Sequence, residues 1–320
     1  MADGALSWVI GAGGLLGKAV VAEAARRDDP VTVSGVPWHE PDASVEVLVE
    51  TAEWLLGTNP ALDVLWCAGA GVVGTSREEL DTELAVFTAF LDHLEQSLQR
   101  HPRTTVRLFL ASSAGGVYAG SASPPFTEAD DPRPLAPYGE TKLAMEKAAA
   151  ACSARSGISV LVCRFANLYG PGQRLDKPQG IVSQLCRSQL SRQPLSIYVS
   201  LDTARDYIYV RDAARMMLAG MDLLAEAPAG STVTKIVCSG AATTLAEIVG
   251  VLHRISKRRP PIVLGVSQNA RYQPPDLRFR STVWPALNAL ARTPLPEGMA
   301  ATLRDVAADR RAARPVVGAR

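Results

Sequence analysis

The sequence predicts an α/β fold, a doubly wound parallel sheet carrying a smaller, loop-rich lobe toward its C-terminus. Three observations lead there. Short apolar runs alternate with amphipathic stretches through the first half of the chain, the pattern that strand–helix units produce when helices cover both faces of a sheet. The first run leads straight into a glycine-rich turn, Gly11-Ala12-Gly13-Gly14-Leu15-Leu16-Gly17, with a helical stretch behind it. Beyond Tyr169–Gly172 the rhythm loosens, and prolines at 178, 194, 260, 261, 274 and 275 interrupt the remainder.

Taken in order, Leu6–Ile10 reads as a strand and Leu15–Arg27 as its helix, then Val31–Val33 with Ala43–Leu56, and Val64–Cys67 with Glu79–Gln99. Val106–Leu110 is followed by a helix over Tyr138–Arg155, and Val160–Arg164 is a further strand after the Ser156–Gly157 break. These units give a first lobe over residues 1–168 and a substrate lobe over 169–309. Val233–Cys238 again reads as a strand, one expected to return to the first lobe. Residues 310–320 lack apolar periodicity and are expected to fray.

With 320 residues, 47% apolar and 20% charged, the chain has the composition of a compact enzyme. Its 33 basic and 32 acidic residues leave a net charge of +1, which predicts neither a nucleic-acid footprint nor attraction to an anionic membrane. An anionic ligand must therefore be held locally. Met1–Ser7 has no basic region leading into an apolar segment, and no long uninterrupted apolar run follows, so a cytoplasmic protein is expected. The cysteines at 67, 152, 163, 186 and 238 are odd in number and scattered, which argues against structural disulfides and a metal site.

Glycines at 11, 14 and 17 let the backbone turn tightly, approach a pyrophosphate and pack a helix close to the strand, with the helix N-terminus toward the anion. The bland alternative is an ordinary glycine-rich turn, which its place between the first strand and the first helix disfavours. Tyr138 and Lys142 lie four apart on one face of a predicted helix. An ammonium beside a phenol favours the phenolate, which makes a tyrosine usable as a base. Y-x-x-x-K also arises by chance on surface helices, but Ser112-Ser113 ends the strand Val106–Leu110 at the sheet edge where ligands bind. Those serines can equally cap a following turn.

At these residues the chain resembles the extended short-chain dehydrogenase/reductases that act on nucleotide sugars. The resemblance covers about residues 6–305 and rests on motifs in order: Gly11-x-x-Gly14-x-x-Gly17, Asp63-Val-Leu-Trp-Cys-Ala-Gly69, Ser112-Ser113 with Val117-Tyr118, Tyr138-x-x-x-Lys142, Arg164-Phe-Ala-Asn167-Leu-Tyr-Gly-Pro171, and Arg205-Asp-Tyr-Ile-Tyr-Val-Arg-Asp212. It implies a Rossmann domain binding NAD or NADP, a C-terminal lobe binding a nucleoside diphosphate sugar, and a homodimer. By resemblance, Tyr138 exchanges a proton with the sugar and Lys142 holds the nicotinamide ribose. A serine hydroxyl would bond the reacting oxygen; many relatives place it where this chain has Ala114, leaving Ser113 as the candidate and Ser112 in reserve. The implied cofactor set is Gly11, Gly14, Leu15, Leu16, Gly17, Ser34, Ala68, Gly69, Ser112, Tyr138 and Lys142. The implied substrate set is Asn167, Arg205 and Arg271, although a solvated loop arginine is an equal reading of Arg271.

Departures from the family pattern sort the possible reactions. The dehydratases and decarboxylases of the family carry an acid just before the Val-Tyr pair; Gly115 and Gly116 stand here, leaving epimerisation or ketone reduction. NAD-dependent relatives usually end the second strand with an aspartate, where this chain has Ser34-Gly35. No arginine follows to hold a 2′-phosphate, although Arg26 and Arg27 are candidates to lie near. Only Val36 to Ala43 separate the second strand from the next helix, so the usual third strand is expected to be reduced or absent, as in some 4-ketosugar reductases. The stretch Ala68–Ser76 and Arg205-Asp-Tyr-Ile instead resemble the 4-epimerases, which tips the expectation to an epimerase over an NADPH-dependent 4-ketoreductase. A cofactor-binding sensor without turnover is a third possibility, fed by Ala114 and by Ser200–Thr203 where relatives tend to have glycines. His39, His93, His101 and His253 read as surface or packing residues, Trp38 as an apolar cap or an adenine stack, Asp63 as the end of a turn, and Lys257–Arg259 as a solvated helix end.

Overall fold

The computed structural model describes residues 4–176, 179–267 and 272–312. In its first half the chain forms β1 (Leu6–Ile10), α1 (Leu15–Arg26), β2 (Val31–Val33), α2 (Pro41–Thr58), β3 (Ala61–Trp66), α3 (Arg77–Arg100), β4 (Thr105–Ser113), α4 (Ala114–Val117), α5 (Pro137–Ser156) and β5 (Ser159–Phe165). There follow β6 (Asn167–Tyr169), α6 (Ile181–Ser191), β7 (Leu195–Ile197), β8 (Ala204–Tyr209), α7 (Val210–Glu226), β9 (Thr232–Val237), β10 (Ala242–Thr244), α8 (Leu245–Ser256), β11 (Ile262–Leu264), β12 (Asp276–Leu277), a 3-10 turn at Pro285–Leu290 and α9 (Leu295–Ala312).

Six strands make the central sheet in the order β2-β1-β3-β4-β5-β9, every neighbouring pair parallel. Helices α1 and α7 cover one face, and α2, α3 and α5 the other. All seven residues of β5 are therefore buried, which is why Val160–Cys163 run apolar without alternation. Trp66, at the end of β3, packs against Phe87 and Phe90 of α3 with ring centroids 4.8 and 5.3 Å away. Each such fully buried aromatic contributes roughly 1.5–3 kcal/mol of transfer free energy.

The sheet's reversal of strand order falls between β1 and β3, so the glycine turn after β1 opens at a topological switch point. Strand β2 is the sheet edge. Among the described residues, 34–40 contain neither strand nor helix and lead directly into α2, which begins at Pro41 rather than Ala43 because proline suits the first helical position.

One element differs from expectation through pairing. Asp63 is not in a turn: it lies inside β3, 7% exposed, opposite Arg107 of β4, and the Arg107 guanidinium donates to it at 2.6 and 2.8 Å. The pair lets the strand extend to Ala61. Residues 310–312 belong to α9; 313–320 lie outside the described residues.

The second lobe has its own core of Tyr169, Leu185, Tyr207, Ile248, Leu252 and Met299. It is interleaved in sequence with the first, since α7 and β9 return to the central sheet. Glu128 ties the lobes together, accepting from the Ile236 amide at 2.8 Å, the Ser281 hydroxyl at 2.5 Å and the Thr282 amide at 2.8 Å.

Glu53 of α2 accepts from Arg100 and His101 at the end of α3, both at 2.8 Å. The Arg100 hydrogen bond, with help from Ser97 and His101, lowers its pKa from 4.5 to about 2. A folded-state pKa below the unfolded value means stability that is present above pH 4.5 and lost as pH falls toward 2. Glu53→Gln is expected to flatten the fall in stability over that window by about 0.5–1 kcal/mol, small because the pair is solvent-screened. Urea titrations at neutral and acid pH measure this; parallel losses in variant and wild type would refute it.

Candidate active site

Close packing dictates the turn after β1. Gly11 has φ +86°, and a Cβ there would come within 2.7 Å of the Ala68 backbone; a Cβ on Gly17 would overlap the Gly11 carbonyl. Gly14 starts α1 with no side-chain cap, and the first turn holds no acidic residue. Beside it, Gly13 faces open space, with nothing within 4 Å of a would-be Cβ. The first-turn amides, those of Leu15 and Leu16 among them, thus lack a side-chain cap, and the dipole end there is positive. This cradle fits the pyrophosphate of a dinucleotide.

Ser34 follows β2, and its hydroxyl accepts from the Trp8 indole N–H at 3.1 Å. Arg26 and Arg27 are not near it. They lie at the opposite end of α1, which at twelve residues is about 18 Å long. Arg26 pairs with Glu23 at 2.6 Å, and Arg27 with Asp29 at 2.7 Å and Asp222 at 2.9 Å. The chain has no lysine or arginine from 28 to 76, so no cation stands after β2. Trp38, 46% exposed, packs edge-on against Trp66 with centroids 6.1 Å apart, capping an apolar surface.

Tyr138 and Lys142 share one face at the start of α5, with Lys142 Nζ 5.9 Å from the Tyr138 ring centroid. The ring lies between two glycines: a Cβ on Gly116 would sit 3.0 Å from Tyr138 Cε1, and one on Gly71 3.3 Å from Cδ2. Any side chain at 116 would displace the ring.

The two serines part company because successive strand residues point to opposite faces. Ser112 is 6% exposed and donates to Glu146 Oε1 at 2.5 Å. Glu146 is clamped by Arg164 at 2.6 Å, and Arg164 also donates to the Tyr118 hydroxyl at 2.5 Å. Ser113 caps α4, its Oγ accepting from the Gly116 amide at 3.1 Å. A Cβ on Gly116 would lie 3.3 Å from Ser113 Oγ and 3.0 Å from Tyr138, so Ser113 and the phenol ring border one small space.

Sequence reasoning missed Glu83. Its Oε1 accepts from Lys142 Nζ at 2.8 Å, and its Oε2 from the amides of Ala70 and Gly71 at 3.0 and 3.2 Å. Burial pushes the Glu83 carboxyl up, but the Lys142 charge and these amides outweigh it and hold it below the usual glutamate range. Burial likewise pushes Lys142 down, and the carboxylate more than reverses this. Both groups are held charged. The available signal was periodicity: Glu83 interrupts the apolar stripe Leu80, Phe87, Phe90, Leu94 of α3, where a leucine would be expected.

On the second lobe, Asn167 donates from Nδ2 to the Asp206 carbonyl at 3.0 Å. Arg205 is 8% exposed and donates to the Ala204 carbonyl at 2.8 Å; among the described residues it has no ion-pair partner. Burial lowers its pKa below the usual arginine value. Strand register sets Arg205 opposite Leu277, whose side chain would lie 3.9 Å from a Cβ on Gly115, so this strand borders the α4 turn. Arg271 lies outside the described residues.

Residues 8–234 match the sequence model of the NAD dependent epimerase/dehydratase family. The chain belongs to that family. Among epimerase/dehydratase relatives, the uncharacterized UDP-glucose epimerase YtcB of Bacillus subtilis (strain 168) is 31% identical over 133 residues, 40% of this chain and 41% of that protein. The dTDP-4-dehydro-6-deoxyglucose reductase of Escherichia coli is 30% identical over 116 residues, 36% of each. The aligned stretches thus span less than half of these curated relatives. The solved structure of MoeE5 in complex with UDP-glucose and NAD is similar over 97% of this chain and 100% of that chain, with a TM-score of 0.74 and 26% identity. The shared epimerase/dehydratase architecture is the α/β sheet described above. Among the described residues no helix is long and apolar enough to cross a membrane.

Proposed function

We propose that the protein is an NAD-dependent nucleotide-sugar 4-epimerase. The observation that carries this reading is the convergence of the Tyr138 ring and the Lys142 ammonium, from the start of α5, with the Ser113 hydroxyl, from the end of β4, at the sheet edge that holds the glycine turn. The bound dinucleotide supplies a reversible acceptor and donor of hydride. Tyr138 takes the proton of the sugar 4-hydroxyl as the carbinol becomes a ketone, and returns it to the same oxygen when the carbon is reduced from the other face. Ser113 donates a hydrogen bond to that oxygen, and Lys142 binds the nicotinamide ribose while favouring the phenolate. Ser112 serves the site indirectly, through the Glu146–Arg164 clamp. The buried guanidinium of Arg205 suits the diphosphate of the nucleotide sugar, with Asn167 beside it and Arg271 assigned with them by family resemblance.

Glycine at 115 and 116 removes the acid that elimination or decarboxylation would need. The absence of any cation between 28 and 76, with Arg26 and Arg27 engaged elsewhere, supports NAD over NADP. That supports a retained cofactor and a reaction without net redox change. The missing strand after β2 favours a second reading, an NADPH-dependent 4-ketoreductase. The family resemblance supports a homodimer, and the balanced charge a protein that binds neither nucleic acid nor an anionic membrane.

Denaturing the purified protein and identifying the released dinucleotide separates the two readings. NAD is the expected product, together with interconversion of two nucleotide sugars at constant reduced-cofactor absorbance. Empty protein that consumes NADPH stoichiometrically when a nucleotide 4-ketosugar is added would overturn the epimerase.

A further inference from the structure

We propose that Glu83 is a positioning residue, which fixes the Lys142 ammonium and the loop 69–71 against each other and sets the charge that the Tyr138 phenol experiences. The proposal rests on the reading of Tyr138 and Lys142 as the proton-transfer pair.

Stability alone does not account for a carboxylate at this place. Glu83 stands in the apolar stripe of α3, where burying a charge is costly and a hydrophobic residue would pack as well or better. Its two oxygens are divided between two tasks. Oε1 takes one of the three ammonium protons of Lys142, while Oε2 gathers the amides of Ala70 and Gly71. One side chain on α3 thereby links the loop after β3 to α5.

The geometry around the ion pair leaves Lys142 little freedom. Nζ also faces Met145 Sδ at 3.6 Å, a weak acceptor, and the residue is 5% exposed. Gly69, at φ +154°, passes so close that a Cβ would lie 2.9 Å from Nζ and 3.3 Å from Glu83 Oε1. With one proton on the carboxylate and one toward the thioether, one N–H is left to meet an incoming ribose hydroxyl. Glu83 determines which one.

The second effect is electrostatic. Four groups bear on the Lys142 ammonium: Glu83 from α3, and Tyr138, Glu146 and Met145 from α5. Glu146 is already neutralised by Arg164 from β5, with Ser112 from β4 bonded to it, and Glu140, on the outer turn of α5, pairs with Arg77 at 2.6 Å. Among the described residues, Glu83 is then the one carboxylate near the ammonium that offsets it without a second cation of its own. It moderates the field at the phenol, so that Tyr138 can both take a proton and return it in one catalytic cycle.

Glu83→Gln keeps the shape and removes the charge. The test is a tyrosinate absorbance titration of the full-length protein, taken as the difference from the matching Tyr138→Phe protein to isolate one of seven tyrosines. The Tyr138 midpoint in Glu83→Gln is expected about one pH unit below that of wild type, the size of removing one charge nearby at a protein-like dielectric. A midpoint that is unchanged or moves up overturns the proposal. Glu83→Asp retains the charge but is one methylene short. Its midpoint is expected near that of wild type while its NAD affinity falls about tenfold; wild-type affinity would overturn the positioning role, whether or not the glutamine variant folds. These measurements need no sugar, so a protein that shows both effects but turns over no nucleotide sugar refutes the epimerase reading and not this one.

Discussion

Tyr138→Phe is expected to lower turnover by on the order of 10³-fold, within the range that positioned acid–base groups contribute, while the protein remains folded. Its ring packs between Gly71 and Gly116, and phenylalanine fills the same space. Among the described residues the hydroxyl makes no hydrogen bond, so its removal leaves no buried partner unsatisfied. The two properties therefore separate: chemistry is lost with the oxygen, packing is kept with the ring. Turnover and thermal unfolding measured on the same preparation check this. Wild-type turnover in the variant would mean that another group moves the proton, and unchanged behaviour in every assay would favour a cofactor-binding sensor.

Arg164 should show the largest effect on stability. The side chain is 7% exposed, holds Glu146 through both of its oxygens and bonds the Tyr118 hydroxyl from a position 5.1 Å over that ring. Among the described residues, Arg164→Leu leaves a buried carboxylate with only the Ser112 hydroxyl as hydrogen-bond partner, and a fully buried phenol with none. Removing one partner of such a pair costs about 3–5 kcal/mol. Adding Glu146→Leu to the same chain is expected to restore much of the loss, because no uncompensated charge is then left inside. Urea denaturation of the two variants decides it; a loss below about 1 kcal/mol for Arg164→Leu would show that the pair is hydrated rather than dry.

These two residues also differ in how they could be read. Tyr138 was legible with Lys142 because helix geometry puts residues four apart on one face, whatever the rest of the fold does. The importance of Arg164 lay in partners at 118 and 146, on elements that only the sheet brings together. The serine pair shows the same division within two residues: both were visible at a strand end, yet which one borders the phenol depended on strand parity. Asp63 was misplaced for a related reason, since an acid inside a buried strand is tolerable only opposite its arginine, and register is not written locally.

By itself the sequence determined what short-range physics controls: alternating strand and helix periods, the glycine turn that brings backbone against backbone, the Tyr138–Lys142 face, and the missing strand after β2. Tertiary structure alone decided the rest. It placed Arg26 and Arg27 at the wrong end of α1 to reach a cofactor, turned Ser112 inward, and set Glu83 on Lys142 across fifty-nine positions of chain. Interactions of that kind depend on which buried charges meet after the layers have packed, and a carboxylate in an apolar stripe has no reading until its partner is known.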